Sequence, residues 1–217
     1  MKNPVQPLSQ RLFDTTHTQV GNRIKVLGFA GSLRKNSYNK LLLRAASRLL
    51  PESAQLELFD IRGIPLYDQD VQEHGMPEIV QRFKEKIESA DAILITTPEY
   101  NHSYSGVLKN AIDWASRPYG HNSFNGKPVA VMSAAPGMFG GVAAQDQLKQ
   151  VLLALNMHIV AQPAVIVASA DRKFDVNGEL TDVDAKQFMR RLLANLVDFT
   201  IRLTRLDEPL RVFPIST

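Results

Sequence analysis

Residues 24–39 read Ile-Lys-Val-Leu-Gly-Phe-Ala-Gly-Ser-Leu-Arg-Lys-Asn-Ser-Tyr-Asn. A nearly continuous apolar run, Ile24–Ala30, breaks at Gly31 and passes into hydroxyl and amide residues before a helical pattern begins. Such a run suits a strand buried on both faces of a parallel sheet. Glycine lets backbone approach an anion closely, and the next helix N-terminus offers unpaired N–H groups and partial positive charge. The stretch is therefore expected to be a strand, a turn that cradles phosphate, and a helix.

Downstream of Ser37 the residues Leu41, Leu42, Ala45, Ala46, Leu49 and Leu50 recur at helical spacing. Lys40, Arg44 and Arg48 lie four apart and form one basic ridge. It is either a solvated face or an attractor of anions. Further apolar runs predict strands over 55–61, 92–97, 127–133 and 158–167, separated by helices over 77–89, 107–115 and 142–155. A polar segment containing the turn signal Asn177-Gly178 precedes a last amphipathic helix, 185–203. Five buried strands alternating with helices imply an α/β fold, a parallel sheet covered on both faces.

Residues 1–22 are polar, contain Pro4 and Pro7, and read as an N-terminal extension with at most a short helix near Ser9–Asp14. Residues 23–205 are expected to form one domain, and 206–217, with Pro209 and Pro214, a tail. The 217 residues include 25 Lys and Arg against 22 Asp and Glu, a net charge of +3 without a dense basic tract. That balance does not favour nucleic acid. The absence of cysteine excludes disulfides, thiolate metal sites and cysteine nucleophiles. No run approaches the roughly 18 apolar residues of a membrane span, and the N-terminus lacks the apolar core of a secretory signal. A cytoplasmic enzyme or binding protein is expected, without membrane, nucleic-acid or metal partner.

Three strands end in small or polar clusters: residues 31–39, residues 98–106 and residues 134–141. Ligands of open α/β sheets bind beyond the carboxyl ends of strands, where strand order reverses. The first cluster is no P-loop, lacking Gly-Lys-Ser/Thr, and no dinucleotide fingerprint, since Gly28 and Gly31 stand three apart. Asp60 follows Gly31 by more than the roughly 20 residues of a ribose-binding acid and is read as a turn residue. Ser32, Arg34, Ser37 and Asn39, with Lys35 adjacent, suit a terminal phosphate. They equally suit a capped helix start, with Ser37 as N-cap. In the second cluster Pro98 shapes the exit turn, Glu99 and Asn101 offer hydrogen bonds, and Tyr100 offers a flat surface for an aromatic ring.

Gly-Ser-Leu-Arg-Lys-Asn-Ser-Tyr-Asn (31–39), Thr-Pro-Glu-Tyr-Asn-His-Ser (97–103), Gly-Val-Leu-Lys-Asn-Ala-Ile-Asp-Trp (106–114) and Pro-Gly-Met-Phe-Gly-Gly (136–141) resemble the NADPH-dependent FMN reductase family, which includes bacterial quinone and chromate reductases. The resemblance spans about residues 24–200. It implies a flavodoxin-like three-layer sandwich, with a five-stranded parallel sheet in the order 2-1-3-4-5. It implies FMN as cofactor and NADPH or NADH as co-substrate. Phosphate contacts fall on Ser32, Arg34, Ser37, Tyr38 and Asn39, while Pro98, Glu99, Tyr100 and Asn101 border the flavin ring and Ser133 and Gly137 line its other edge. Relatives often carry glycine at Asn36 and proline at Ser105; the first change is mild because asparagine tolerates left-handed backbone.

The resemblance further implies ping-pong hydride transfer through FMN to a small-molecule acceptor such as a quinone, flavin, chromate or azo compound. No catalytic acid or base is nominated, because the flavin carries the redox chemistry. His102 and Arg117 are candidate substrate contacts, and a homodimer or homotetramer is implied. The rivals are a flavodoxin-type FMN electron carrier, usually acidic where this chain is +3, and a flavin-free scaffold.

Overall fold

A computed structural model describes residues 23–206; the extension 1–22, its expected Ser9–Asp14 helix and the tail beyond Leu206 lie outside the described residues. Strand β1 (Ile24–Ala30) leads into α1 (Tyr38–Leu49), followed by β2 (Ala54–Phe59), α2 (Gln69–His74), α3 (Glu78–Ser89) and β3 (Ala92–Thr97). A hairpin, β4 (Glu99–Tyr100) and β5 (Ser103–Tyr104), precedes α4 (Gly106–Ala115) and β6 (Pro128–Ala134). Then come α5 (Val142–Ala154), β7 (His158–Ile159), β8 (Val165–Val167), α6 (Ala170–Lys173) and α7 (Val183–Leu206).

The parallel sheet runs β2-β1-β3-β6-β7, with β8 also pairing with β6. This is the expected flavodoxin-like order, its fifth position shared by β7 and β8. The central strands are apolar on both faces because helices cover both. Val26, Ala30, Leu94 and Met132 pack on the side of α1 and α7. Leu27, Phe29, Ile95 and Val131, their neighbours in sequence, pack on the side of α3, α4 and α5. Burying each large apolar side chain contributes roughly 1.5–3 kcal/mol. Phe29 and Phe83 add an edge-to-face pair with centroids 5.1 Å apart.

Two strands differ from expectation. The second is an edge strand with three of its six residues exposed, Leu58 at 47% among them, and it ends before Asp60 starts a turn. The fifth is broken: residues 160–164 leave the sheet between β7 and β8, and Pro163 there has no N–H for a ladder. Local pattern also missed α2, α6 and the small hairpin. The basic ridge of α1 is partly paired, Lys40 with Asp60 at 3.1 Å and Arg48 with Glu179, while Arg44 is exposed. No helix among the described residues is long and apolar enough to cross a membrane, and no cluster of three or more His, Asp or Glu there could hold a metal ion.

Candidate active site

Because β1, β3 and β6 are sheet neighbours in parallel register, their carboxyl ends bring the three clusters together. Strand order reverses between β1 and β3, where open α/β sheets leave a crevice.

The first loop, residues 31–37, is a prebuilt turn. Ser37 caps α1, its hydroxyl accepting from the Lys40 N–H at 3.4 Å, and no acidic residue occupies the first turn of the helix. Ser32 is buried, and its hydroxyl accepts from the Arg34 N–H at 3.4 Å. Arg34 and Lys35 are exposed and have no carboxylate within ion-pair distance among the described residues. Gly31 is required by packing. A Cβ there would stand 2.9 Å from Ser105 Oγ and 3.0 Å from Leu108 Cβ. Asn36 does not adopt a left-handed backbone, so glycine is not required at that position.

Asn39 is 2% exposed, and its side-chain amide is fully engaged: Nδ2 donates to Ala134 O at 2.9 Å and Oδ1 accepts from Ala134 N at 3.0 Å. Its own carbonyl accepts from Thr96 Oγ1 at 2.9 Å. Asn39 thus laces the first loop to the ends of β3 and β6 from beneath. Tyr38 packs on Phe174 with ring centroids 5.6 Å apart. Ser105, where relatives often have proline, caps α4 and donates to Gly31 O at 2.6 Å, tying the second loop to the first.

The second loop is the β4–β5 hairpin. Its tip residues Asn101 and His102 both have positive φ, 51° and 58°, as a tight type I′ connection requires. Glu99 is turned inward; one carboxylate oxygen accepts from Ala144 N at 3.1 Å in the first turn of α5, where negative charge is favoured. His102 is exposed, with Nδ1 3.8 Å from the other Glu99 oxygen, and Gln147 donates to its carbonyl. Tyr100 is 53% exposed and presents its ring at the site. Burial pushes the Tyr104 phenol above its usual range, against the pull of Lys109.

In the third loop, Ser133 is fully buried and its hydroxyl accepts from Gln145 Nε2 at 2.9 Å; the same amide nitrogen donates to Val165 O at 2.8 Å. Gln145 is a buried polar residue that sequence reasoning missed, since a glutamine within an amphipathic helix gives no local sign of burial. Gly137 has open space where a Cβ would be. Beside it, Met138 and Phe139 are 77% and 65% exposed. A cleft of about 630 Å³ lies between the first loop, the segment after β2 and the start of α4. Arg34, Ser32 and Asn110 supply its polar groups and Ile61, Leu66 and Tyr100 its apolar ones.

Arg117 is not part of this cluster. It follows α4 at the amino-end side of the sheet, where Lys84 Nζ donates to the carbonyls of Ala115, Arg117 and His121 at 2.8–2.9 Å. Burial holds the Lys84 ammonium below its usual pKa, against the pull of Glu88.

The arrangement combines a helix start without acidic residues, two serine hydroxyls, a guanidinium with no carboxylate partner among the described residues and a flat exposed ring. It fits a phosphate monoester carrying an aromatic ring system. Residues 24–172 match the family described as NADPH-dependent FMN reductase. The chain belongs to that family. It is 48% identical to an NAD(P)H-dependent FMN reductase of Pseudomonas aeruginosa, over 83% of this chain and 97% of the relative. A quinone reductase of Pseudomonas putida is 45% identical over 70% of this chain and 82% of its own length. Among solved structures, the flavoenzyme NAD(P)H:(acceptor) oxidoreductase FerB of Paracoccus denitrificans superposes with a TM-score of 0.76 at 37% identity, covering 82% of this chain and 98% of that one.

Proposed function

We propose that residues 23–205 form an FMN-binding domain that transfers hydride from NAD(P)H to a small-molecule acceptor, with quinones the first class to test. The carrying observation is the convergence of a helix start with no acidic residue in its first turn and an exposed flat ring at the β1/β3 reversal, in a chain of this family. The unpaired Arg34 and Lys35 weigh against an acidic electron carrier of the flavodoxin type, because a cationic rim attracts the phosphates of a pyridine nucleotide.

Bound FMN would supply the hydride chemistry. In this reading Arg34 and the hydroxyls of Ser32 and Ser37 hold the phosphate, with the N-terminus of α1 adding its partial charge. Tyr38 and Asn39 support that cradle, Asn39 from beneath through Ala134. Pro98, Glu99, Tyr100 and Asn101 border the ring, the hairpin held rigid by the Glu99 contact to α5. Gly137 lines the opposite edge, Ser133 being buried beneath it against Gln145, with Met138 and Phe139 excluding water above it. His102 stands at the rim for acceptor contact; Arg117 lies too far down the fold for that role within one chain. The exposed apolar side chains Leu66 and Phe139 support a homodimer or homotetramer, and a cytoplasmic location is part of the same proposal.

The test is purification followed by a steady-state panel of quinones, free flavin, azo dyes and chromate, with NADH and NADPH compared. A yellow protein with parallel double-reciprocal lines is expected. A colourless protein that binds no added FMN overturns the reading, and a yellow one that oxidises neither nucleotide favours the carrier.

A further inference from the structure

The turn after β2 does more than reverse the chain. Asp60 Oδ1 accepts from the Arg62 N–H at 3.0 Å, and Asp60 Oδ2 accepts from Lys40 Nζ of α1 at 3.1 Å. Ile64 N donates to Ile61 O at 3.4 Å, with Gly63 at φ 88° in the third position of that turn, the residue a type II turn demands there. Arg62 is thus rooted in two interlocked turns. Its guanidinium donates to the carbonyl of Leu33, in the middle of the first loop.

In a trans peptide the C=O and N–H point in opposite directions. The Leu33–Arg34 bond is trans, so an arginine that holds the Leu33 oxygen toward the turn after β2 also turns the Arg34 N–H away from that turn. That N–H faces Ser32 Oγ at 3.4 Å, inside the cradle.

We infer that Arg62, braced by Asp60, is a positioning residue: it presents the Arg34 backbone N–H to the phosphate without touching the phosphate itself. The inference rests on the flavin reading above. Positioning and simple electrostatics predict opposite signs at Asp60. Asp60 is an anion near an anion site, and it occupies the ammonium of Lys40. If charge alone mattered, Asp60→Ala would tighten phosphate binding. If Asp60 braces the turn, the same change weakens it.

The experiment titrates apoprotein with FMN and with riboflavin, following flavin fluorescence, for the wild type, Asp60→Ala and Arg62→Met. Both variants are expected to lose FMN affinity by about tenfold, the worth of one hydrogen bond to a charged group, and to keep riboflavin affinity unchanged. The phosphorus resonance of bound FMN is expected to shift in both. Tighter FMN binding by Asp60→Ala, equal losses for FMN and riboflavin, or unchanged FMN binding by Arg62→Met each overturn the inference while wild-type FMN binding upholds the flavin site. A wild type that binds neither flavin overturns the flavin reading with it.

Discussion

The first and third loops each leave the buried end of a central strand and are rich in small residues, yet they are held in different ways. The first is fastened along its length. Asn39 joins it to β6, Ser105 to α4, and Arg62 to the turn after β2. The third is held by backbone bonds as far as Gly137, such as Ala135 N to Val167 O and Ser169 N to Gly137 O. Its tip carries Met138 and Phe139 into solvent. The difference matches the two tasks proposed for them. A phosphate is small, charged and invariant, so a preorganised cradle stabilises it most. A cover over a ring that meets several acceptors gains from an adaptable apolar tip.

The largest effect is expected where the base of the third loop is tightest. Gly140 has φ 60°, and a Cβ there would lie 2.6 Å from Ile166 Cγ2 and 2.8 Å from the Ala168 nitrogen. Gly140→Ala should destabilise the fold by about 2–4 kcal/mol through backbone strain and overpacking, read by denaturant unfolding. A near-neutral result would show that the whole third loop is pliable, base included. Asn39→Ala should cost about 2–3 kcal/mol, because the Ala134 N–H and C=O lose their buried partners. Flavin-free protein should show that loss in a melt, which separates a lacing role from a ligand contact.

Arg34→Ala should leave stability nearly unchanged and weaken FMN binding by about 1.5–3 kcal/mol, the worth of a charge-assisted hydrogen bond. Unaltered flavin retention would move the phosphate away from this arginine. Asp182, outside both loops, sets the scale of an ordinary helix cap. It accepts from Ala185 N at 2.7 Å and pairs with Lys173 at 3.2 Å. The Ala185 bond, helped by Lys173 against some burial, holds its carboxyl below the ordinary 3.8. A lowered folded-state value means that this stability is complete above pH 3.8 and is lost as pH falls through the folded value. Asp182→Ala should therefore cost about 1 kcal/mol at neutral pH and flatten the acid limb of stability. Smallest of all, Phe139→Ala should change stability by less than about 0.5 kcal/mol while shifting KM for bulky acceptors. A large loss of stability there would mean that the tip is packed in solution.

Sequence motifs read well where chemistry is local. Apolar runs marked β1, β3 and β6 because a strand covered on both faces is apolar at most of its positions. The spacing of Ser37 and its helix marked a cap for the same kind of reason. The residues of the three clusters, and their meeting at one edge, were also legible, since parallel topology leaves few alternatives.

Other features depended on contacts between distant segments. Asn39 reads as a ligand in its motif, and only the approach of Ala134, 95 residues later, consumes its amide. Gly31 reads as an anion-approach glycine, but α4 sets its limit through Ser105 and Leu108. Arg117 reads as adjacent to the second motif, whereas the length of α4 carries it to the far end of the sheet. Gln145 and Arg62 carry no motif at all. Short-range propensity and hydrophobic period act within a few residues, so they decide elements and their ends. Which polar group faces a ligand and which faces the protein is decided by hydrogen bonds across the fold, and those exist only once the strands have paired.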